Sequence, residues 1–305
     1  MTADPPKLSQ RITWRLEALG YDLITGLFRI LPLDWASGLG AAIVERLGPL
    51  NSADRTARIN LRIAFPDAPQ AEIDRLVRSQ WRELGRIAGE FGQMDRIVAK
   101  GRIEIVNIER LHAIRDSGKP VVFISGHFSN WEAMPASILM AGVDCLMTYR
   151  AANNPLMDKR INDSRAAYGV KLLGAKGEEG ARESLLALKR NISVALMNDQ
   201  KFAGGVRGPF FGKDLETAPG PTKLAIRFGT VLQPMMVERL KGARFRVTVY
   251  DPIQPDATGD RTADIVTTVG KINHFLEDRI RERPDYWFWS HKRWPNETYR
   301  KDEPA

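Results

Sequence analysis

Cysteine is nearly absent from this chain of 305 residues, and histidine is scarce. Because Cys145 is the only cysteine, a disulfide or a thiolate metal cluster within the chain is excluded, and a reducing compartment is expected. The four histidines show no spacing typical of zinc ligands, so no metal site is expected. A Gly-x-Ser-x-Gly motif is also missing, which removes the usual sequence candidate for a covalent acyl-enzyme.

Long apolar runs are lacking as well. The apolar region 19–44 is interrupted by Asp22, Arg29, Pro32 and Asp34, whereas a membrane-spanning helix needs about 20 apolar residues. The first residues, "MTADPPKLSQR", do not follow the charged and then apolar order of a secretory signal. We therefore expect a protein that does not cross a bilayer but can lie on its surface.

Negative charge is in deficit, because 45 Lys and Arg residues face 37 Asp and Glu residues, for a net charge of +8. Such an excess favours an anionic partner, which is a nucleic acid, a membrane surface, or an acidic protein or ligand. The chain has no zinc-finger spacing, helix-turn-helix pattern or RNP-type strand, so we do not expect nucleic-acid binding.

Residues 9–31 form a pattern typical of an amphipathic helix. Its apolar side chains recur every three or four residues, at Ile12, Leu16, Leu19, Leu23, Leu27 and Ile30, and are widened by Trp14, Tyr21 and Phe28. Charged residues, mainly arginines, line a narrow opposite stripe at positions 11, 15, 22 and 29. This pattern suits a helix at a membrane interface, and equally a helix packed against its own domain.

The remaining pattern predicts an α/β protein with a central mixed, mostly parallel sheet flanked by helices. Helical periodicity continues at 36–48, 54–64 and 70–98, so we assign residues 1–100 to a helical N-terminal region. Strands and helices alternate from about residue 102, with one short strand at 170–173, and residues 101–305 are assigned to an α/β core.

The stretch "VVFISGHFSNWEAM", residues 121–134, carries the strongest candidate for chemistry. His127 follows a short β-branched strand, and in open α/β sheets sites lie beyond the carboxyl ends of strands. Ser129 and Glu132 have the spacing of a helix capping box, in which Glu132 has only a structural role. Alternatively, Glu132 orients His127, leaving one ring nitrogen free to take a proton from a substrate alcohol.

Three of the seven tryptophans, Trp287, Trp289 and Trp294, lie beside Lys292 and Arg293 near the end of the chain. Tryptophan next to basic residues is typical of a membrane-interface anchor. A buried aromatic cluster that fixes the last helix fits this composition equally well.

Six motifs, taken in order, resemble the late acyltransferases of lipid A biosynthesis, the lauroyl/myristoyl family within the glycerolipid acyltransferase superfamily. The resembling segments are "RTARINLRIAFP" (55–66), "SGHFSNWE" (125–132), "YRAANNP" (149–155), "MNDQK" (197–201), "GPFFGKDLETAPGPTKLA" (208–225) and "PDYWFWSHKRW" (284–294). Arg165 falls where this family carries a functional arginine. The resemblance extends over about residues 15–295.

The resemblance implies transfer of a fatty acyl chain to a hydroxyl of a membrane glycolipid, with a lipid A precursor as the expected acceptor. The donor would be acyl carrier protein, or coenzyme A, and no cofactor other than this thioester is implied. It also implies that His127 is the general base, that Glu132 orients it, and that Arg165 and Asp199 shape the site. The remaining assignments to substrate binding, from the matched motifs, are Asn130, Arg150 and Gln200.

The same resemblance implies a peripheral or monotopic protein on the cytoplasmic face of the inner membrane. Two alternatives remain open: an acyltransferase for another glycolipid or a lysoglycerophospholipid, and an inactive lipid-binding relative. The intact pair of His127 and Glu132 argues against the second alternative, because a protein without chemistry has no need of it.

Overall fold

The computed structural model describes residues 7–171, 173–175 and 177–300, in which a helical N-terminal region precedes alternating strands and helices. The helices are α1 Leu8–Ile30, α2 Leu33–Leu47, α3 Ala53–Ala64, α4 Gln70–Glu90, α5 Met94–Ala99, α6 Ile108–Ser117, α7 Ala133–Met140, α8 Pro155–Ala166, α9 Glu178–Lys189, α10 Gly220–Phe228 and α11 Arg261–Glu282. The strands are β1 Ile103–Val106, β2 Val122–Ser125, β3 Cys145–Tyr149, β4 Leu173–Ala175, β5 Ser193–Met197, β6 Val206–Phe210, β7 Lys213–Thr217, β8 Leu232–Arg239 and β9 Phe245–Val249.

The central sheet has seven strands in the order β1-β9-β8-β2-β5-β3-β4. Every neighbouring pair is parallel except β8 and β9, which pair antiparallel. The predicted fold class is therefore confirmed. Of the strand predicted over 170–173, Leu172 lies outside the described residues. For the residues between β5 and α10 the sequence predicts a long loop, which is wrong in part, because this segment contains the antiparallel hairpin of β6 and β7.

Strand order decides which loops meet. β5 lies between β2 and β3 and runs parallel to both, so the three carboxyl ends lie side by side. One residue beyond β5, the backbone N–H of Asn198 donates to the carbonyl of Ser125, the last residue of β2, at 2.9 Å. The segments that begin with His127, Arg150 and Asp199 therefore leave the sheet next to one another.

The N-terminal helices and the sheet share one hydrophobic core. Leu61 of α3 and Trp81 of α4 belong to the same buried cluster as Val122 of β2 and Phe128 of the following loop. The predicted boundary at residue 100 therefore marks a change of secondary structure, and the packing crosses it.

Helices α2 and α4 approach each other closely through glycine. A methyl group added at Gly40 would lie 2.2 Å from the carbonyl oxygen of Gly85, and one added at Gly89 would lie 2.3 Å from the carbonyl oxygen of Ala36. The two backbones are nearly in contact, which any larger side chain would prevent.

A buried ion cluster joins α4 to the sheet. Arg239 of β8 is bound by Glu83, with Nε to Oε1 at 2.8 Å, and by Glu90, with NH1 to Oε1 at 2.5 Å. The side chains are 6%, 10% and 0% exposed, respectively. Burial raises the pKa of Glu90, and the charge of Arg239 opposes that rise.

The same two glutamates hold the loop that follows β2. The hydroxyl of Ser129 donates to Glu83 Oε1 at 2.6 Å, and the amide of Asn130 donates to Glu90 Oε2 at 2.9 Å. The loop that carries His127 is thus fixed to the N-terminal region by hydrogen bonds to charged groups, which are stronger than those between neutral groups.

The C-terminal tryptophans form a buried aromatic cluster. Trp287, Trp289 and Trp294 are 2%, 0% and 1% exposed, and the rings of Trp287 and Trp289 meet edge-to-face at 4.6 Å. Of the two alternatives drawn from the sequence, the membrane-anchor interpretation of these residues is wrong. Their large apolar area is used inside the protein.

Helix α1 spans nearly the predicted residues, and two of the four charged side chains of its stripe bind neighbouring helices. Asp22 binds Arg160 of α8 at 2.6 Å, and Arg29 binds Asp95 of α5 at 2.9 Å. The large apolar side chains point outward and are 50–81% exposed, at Leu8, Ile12, Leu16, Leu19, Leu23, Ile24, Leu27 and Ile30. Within the described residues, no helix is long and apolar enough to cross a membrane.

Replacing Gly40 by alanine is expected to destabilise the protein, because the new methyl group would overlap the backbone of Gly85. Overpacking of this kind costs about 1–3 kcal/mol of unfolding free energy, which urea denaturation measures. The matched control is Gly38→Ala on the same helix, where an added methyl group meets nothing within 4 Å. That change is expected to stabilise the helix by about 0.5–1 kcal/mol. Equal effects of the two changes would contradict the close contact.

Replacing Arg239 by methionine is expected to lower the unfolding free energy by about 3–5 kcal/mol, because Glu83 and Glu90 lose their buried counter-charge. The control is Arg246→Met on β9, whose partner Glu104 is about half exposed. Exposed ion pairs contribute less than about 1 kcal/mol. A loss at Arg239 as small as that at Arg246 would show that the cluster does not stabilise the fold.

Candidate active site

His127 is held by Asp199 on both its backbone and its ring. Asp199 Oδ1 lies 2.8 Å from His127 Nδ1, and Asp199 Oδ2 accepts the backbone N–H of His127 at 2.8 Å. The indole N–H of Trp287 also donates to Oδ2, at 2.8 Å. Asp199 is 2% exposed and follows β5, so the parallel strand ends bring it to His127 as the sheet forms.

The ionisation of Asp199 sets the state of the imidazole. Burial alone would raise the pKa of this carboxyl, but His127 and the hydrogen bond from Trp287 outweigh burial and hold the pKa well below its ordinary value. An ionised carboxylate only accepts hydrogen bonds, so Nδ1 carries the ring proton and donates a hydrogen bond to Asp199. Nε2, which makes no hydrogen bond to the described residues, is then the basic nitrogen.

Glu132 is not the partner of His127 that the sequence indicated. Its carboxylate accepts Arg165 NH2 on Oε1 at 2.6 Å and Arg165 Nε on Oε2 at 3.1 Å, a two-point contact. The hydroxyl of Tyr168 donates to Oε2 at 2.5 Å. Burial, with the charge of Glu132 beside it, raises the pKa of Tyr168. The carboxylate charge keeps the pKa of Arg165 above its ordinary value against the effect of burial.

The capping box expected at Ser129 and Glu132 does not form. Ser129 has a φ of +45°, a left-handed conformation, and its hydroxyl binds Glu83. The chain then makes tight turns, with Trp131 N–H to Ser129 O and Ala133 N–H to Asn130 O, and α7 begins only at Ala133. Glu132 makes no capping hydrogen bond, because its side chain is drawn to Arg165 and Tyr168.

A cavity of about 410 Å³ opens beside His127 between β3, β5, α7 and α8. This volume is within the range of roughly 300–1,000 Å³ that is typical of ligand sites. Apolar side chains contribute much of the wall, at Phe91, Met134, Pro135, Met147, Ile161, Val170, Ala195, Leu196 and Met197. The polar side chains on the wall include His127, Glu132, Arg150, Arg165 and Gln200. The cavity therefore combines the imidazole of His127 with a wall that is apolar over much of its area.

Two of the predicted substrate-binding residues lie away from this cavity. Asn130 is fully buried, and its amide binds Glu90, so it fixes the loop. Asp199 is engaged by His127 and Trp287. Arg150 is exposed at the end of β3, and Gln200 is partly buried, and both line the cavity. Arg165 binds Glu132 and also lines the cavity.

The sequence did not predict the contact of Tyr168 with Glu132 or the hydrogen bond of Trp287 to Asp199. Tyr168 lies in the turn that follows α8, three residues after Arg165, and both side chains bind Glu132. Trp287 belongs to the tryptophan-rich motif 284–294, but its contact with Asp199 joins two distant segments of the chain and has no local sequence signal. Among the residues that the structure describes, there is no group of three or more His, Cys, Asp or Glu side chains that could hold a metal ion.

Comparison with known proteins matches the chain to one protein family. The sequence profile of the bacterial lipid A biosynthesis acyltransferases matches residues 7–296. Over 298 residues the chain is 27% identical to the phosphatidylinositol mannoside acyltransferase of Mycolicibacterium smegmatis, covering 90% of each chain. Over 272 residues it is 24% identical to the lipid A biosynthesis palmitoleoyltransferase of Escherichia coli, covering 86% of each chain.

A solved structure, that of the 1-acyl-sn-glycerophosphate acyltransferase of Thermotoga maritima, is also similar in part. It has a TM-score of 0.38 and 10% sequence identity, covering 83% of this chain and 97% of that chain. This similarity is too low to support a conclusion about fold or site.

The profile match covers nearly the whole chain, and the acyltransferase resemblance drawn from the six motifs is confirmed. The chain belongs to the bacterial lipid A biosynthesis acyltransferase family and is an acyltransferase.

Proposed function

We propose that this enzyme moves a fatty acyl chain from a thioester of acyl carrier protein to a hydroxyl of a membrane glycolipid, a lipid A precursor, without any other cofactor. The observation that carries the proposal is the position of His127. Its Nδ1 is fixed by the ionised Asp199, and its ring lines the 410 Å³ cavity with its basic Nε2 unbound by the described residues.

In the proposed reaction, Nε2 of His127 removes the proton of the acceptor hydroxyl as the oxygen attacks the thioester carbonyl carbon. The C–O bond forms, the tetrahedral intermediate collapses and the C–S bond breaks. The leaving thiolate then takes the proton from the imidazolium, which regenerates the neutral base. Asp199 stabilises the imidazolium, and general base help of this kind contributes roughly 10²–10⁴ in rate.

In this proposal the role of Glu132 is to hold Arg165 at the cavity wall. Two of the nitrogens of Arg165 are bound by Glu132, and NH1 makes no hydrogen bond to the described residues. A guanidinium presents a planar fork that suits phosphate. Arg165 and the exposed Arg150 are therefore proposed to bind the phosphate of the donor or of the glycolipid.

Acyl carrier protein is favoured as donor by the net charge of +8, because an acidic protein is attracted to a basic surface. The similarity to a lipid A palmitoleoyltransferase favours a lipid A precursor as acceptor. The 27% identity to a phosphatidylinositol mannoside acyltransferase supports a second candidate, a mannosylated inositol lipid. Both candidates are glycolipids that carry phosphate.

The proposed location is the cytoplasmic face of the inner membrane, with peripheral attachment through α1 and α2. Asp22 and Arg29 of α1 bind α8 and α5, while the leucine face of α1 is exposed. On α2, Trp35, Leu39, Ile43 and Leu47 are likewise exposed. Because α8 also lines the cavity through Ile161 and Arg165, this apolar surface adjoins the substrate site.

His127→Ala and Asp199→Asn are expected to lower kcat by about 10²–10⁴, because one removes the base and the other its orienting carboxylate. Glu132→Gln is expected to leave kcat nearer the wild type and to raise KM, because it loosens Arg165. The assay follows acyl transfer to a tetraacylated lipid A precursor in detergent micelles, with circular dichroism to check folding of each variant.

The donors compared are acyl carrier protein and coenzyme A thioesters, and the second acceptor is a phosphatidylinositol mannoside. Full activity of Asp199→Asn would contradict the assignment of the orienting carboxylate. Product from the mannoside and none from the lipid A precursor would replace the proposed acceptor by the second candidate. Absence of product from both would contradict the proposed reaction.

Replacing Leu19, Leu23 and Leu27 together by serine is expected to weaken binding to vesicles of anionic phospholipid by at least about tenfold. Each leucine contributes roughly 1.5–3 kcal/mol when fully buried, and a tenfold change needs about 1.4 kcal/mol. Vesicle flotation measures the bound fraction. The control is Val266→Ser on α11, an exposed apolar residue outside this surface. Unchanged binding of the triple variant would contradict attachment through α1.

A further inference from the structure

Gln80 of α4 is a buried amide with unused hydrogen-bonding capacity. It is 2% exposed, and neither its Oε1 nor its Nε2 has a hydrogen-bond partner among the described residues. Buried polar groups are almost always paired, and one without a partner costs free energy. Neither the sequence motifs nor the comparisons assign a role to this residue.

Gln80 lines a small cavity that also touches His127. The cavity has a volume of about 10 Å³ and is bounded by Glu83, Ser129, Tyr286 and Trp287, among others. A volume of roughly 10–15 Å³ is what one oxygen of a water or hydroxyl group needs. His127 and Trp131 line both this small recess and the larger cavity, and Leu84, Ile87 and Phe288 add apolar side chains to the recess.

The other polar groups around the recess are already engaged. Glu83 accepts hydrogen bonds from Arg239 and from the hydroxyl of Ser129. The hydroxyl of Tyr286 donates to the carbonyl of Arg239 at 2.8 Å. The amide of Gln80 therefore offers both a free donor and a free acceptor to a group that enters this recess beside His127.

We propose that Gln80 is a binding residue for the hydroxyl oxygen that His127 deprotonates. A hydroxyl group donates one hydrogen bond and accepts others, so Nε2 of Gln80 can donate to its oxygen while its proton faces the imidazole. A neutral hydroxyl suits the recess better than an oxyanion, because the carboxylate of Glu83 forms part of its wall. The inference rests on the proposed function, in which His127 is the base.

The hydroxyl that Gln80 binds can belong to either of two molecules, an alcohol acceptor or water. If the hydroxyl belongs to an alcohol acceptor, attack on the thioester gives an ester and a free thiol. If it belongs to water, attack gives a carboxylic acid and a free thiol, which is hydrolysis of the donor. In both reactions the proton passes from the hydroxyl to His127 and then to the leaving thiolate.

Gln80→Leu is expected to lower kcat/KM at least about tenfold in the reaction whose hydroxyl it binds, which corresponds to loss of one hydrogen bond in a buried site. Acyl transfer is measured against acceptor concentration, and donor hydrolysis is measured without acceptor. A loss in transfer identifies the acceptor hydroxyl, and a loss in hydrolysis identifies water. Changes below twofold in both reactions would overturn the proposal.

The matched control is Gln93→Leu, because Gln93 is equally buried but hydrogen-bonded, with Nε2 donating to the carbonyl of Gly89 at 2.9 Å. It is expected to lower Tm and to keep both rates. Gln80→Leu is expected to keep or raise Tm, because it removes an unpaired buried amide. Should the branched leucine disturb packing, Gln80→Met keeps the length of the side chain and takes its place in both assays.

A high-resolution crystal structure of the wild-type protein gives a readout that does not depend on activity. An ordered oxygen within hydrogen-bonding distance of the Gln80 amide, absent from Gln80→Leu, would support the binding site. An empty recess, or a Gln80 amide paired with protein atoms, would overturn it. A wild-type protein without transfer or hydrolysis would contradict the proposed function, while the crystal structure still decides whether Gln80 binds a hydroxyl oxygen.

Discussion

The burial of Arg239 between Glu83 and Glu90 is the constraint on which the loop that carries His127 depends. Removing such charges from water costs several kcal/mol per ion, so they are tolerated only with full pairing and further hydrogen bonds. Part of that pairing is supplied by Ser129 and Asn130 of the loop that carries His127. The cluster therefore holds the N-terminal helices, β8 and the loop that carries His127 in one arrangement.

The carboxylates of Asp199 and Glu132 both lie near His127, but they bind different side chains. Asp199 is surrounded by donors, the ring and backbone of His127 and the indole of Trp287, so it stays ionised and orients the imidazole. Glu132 faces Arg165 and Tyr168 and shapes the wall of the cavity. The His-x4-Glu spacing brings Glu132 to the site without making it the partner of the imidazole.

Helix α1 links the site to the proposed membrane surface by an inverted arrangement. A helix on a soluble domain normally hides its apolar face, yet α1 contacts the protein through the buried Phe28 and the ion pairs of Asp22 and Arg29, and it exposes its leucines. Because its partner Arg160 lies on α8, which also carries Arg165, the exposed apolar surface adjoins the cavity wall. In the proposed function, a lipid substrate has a short path from the bilayer to His127.

The sequence by itself determined the fold class, most helix and strand positions and the place of His127, because periodicity and strand-end position are local properties. It also marked Asp199 and Arg165 as site residues. Only the tertiary structure decided that Asp199 pairs with His127, since that contact depends on β2 and β5 being neighbours in the sheet. Likewise, the left-handed Ser129 and the late start of α7 follow from Glu83 on a distant helix, which no local pattern encodes.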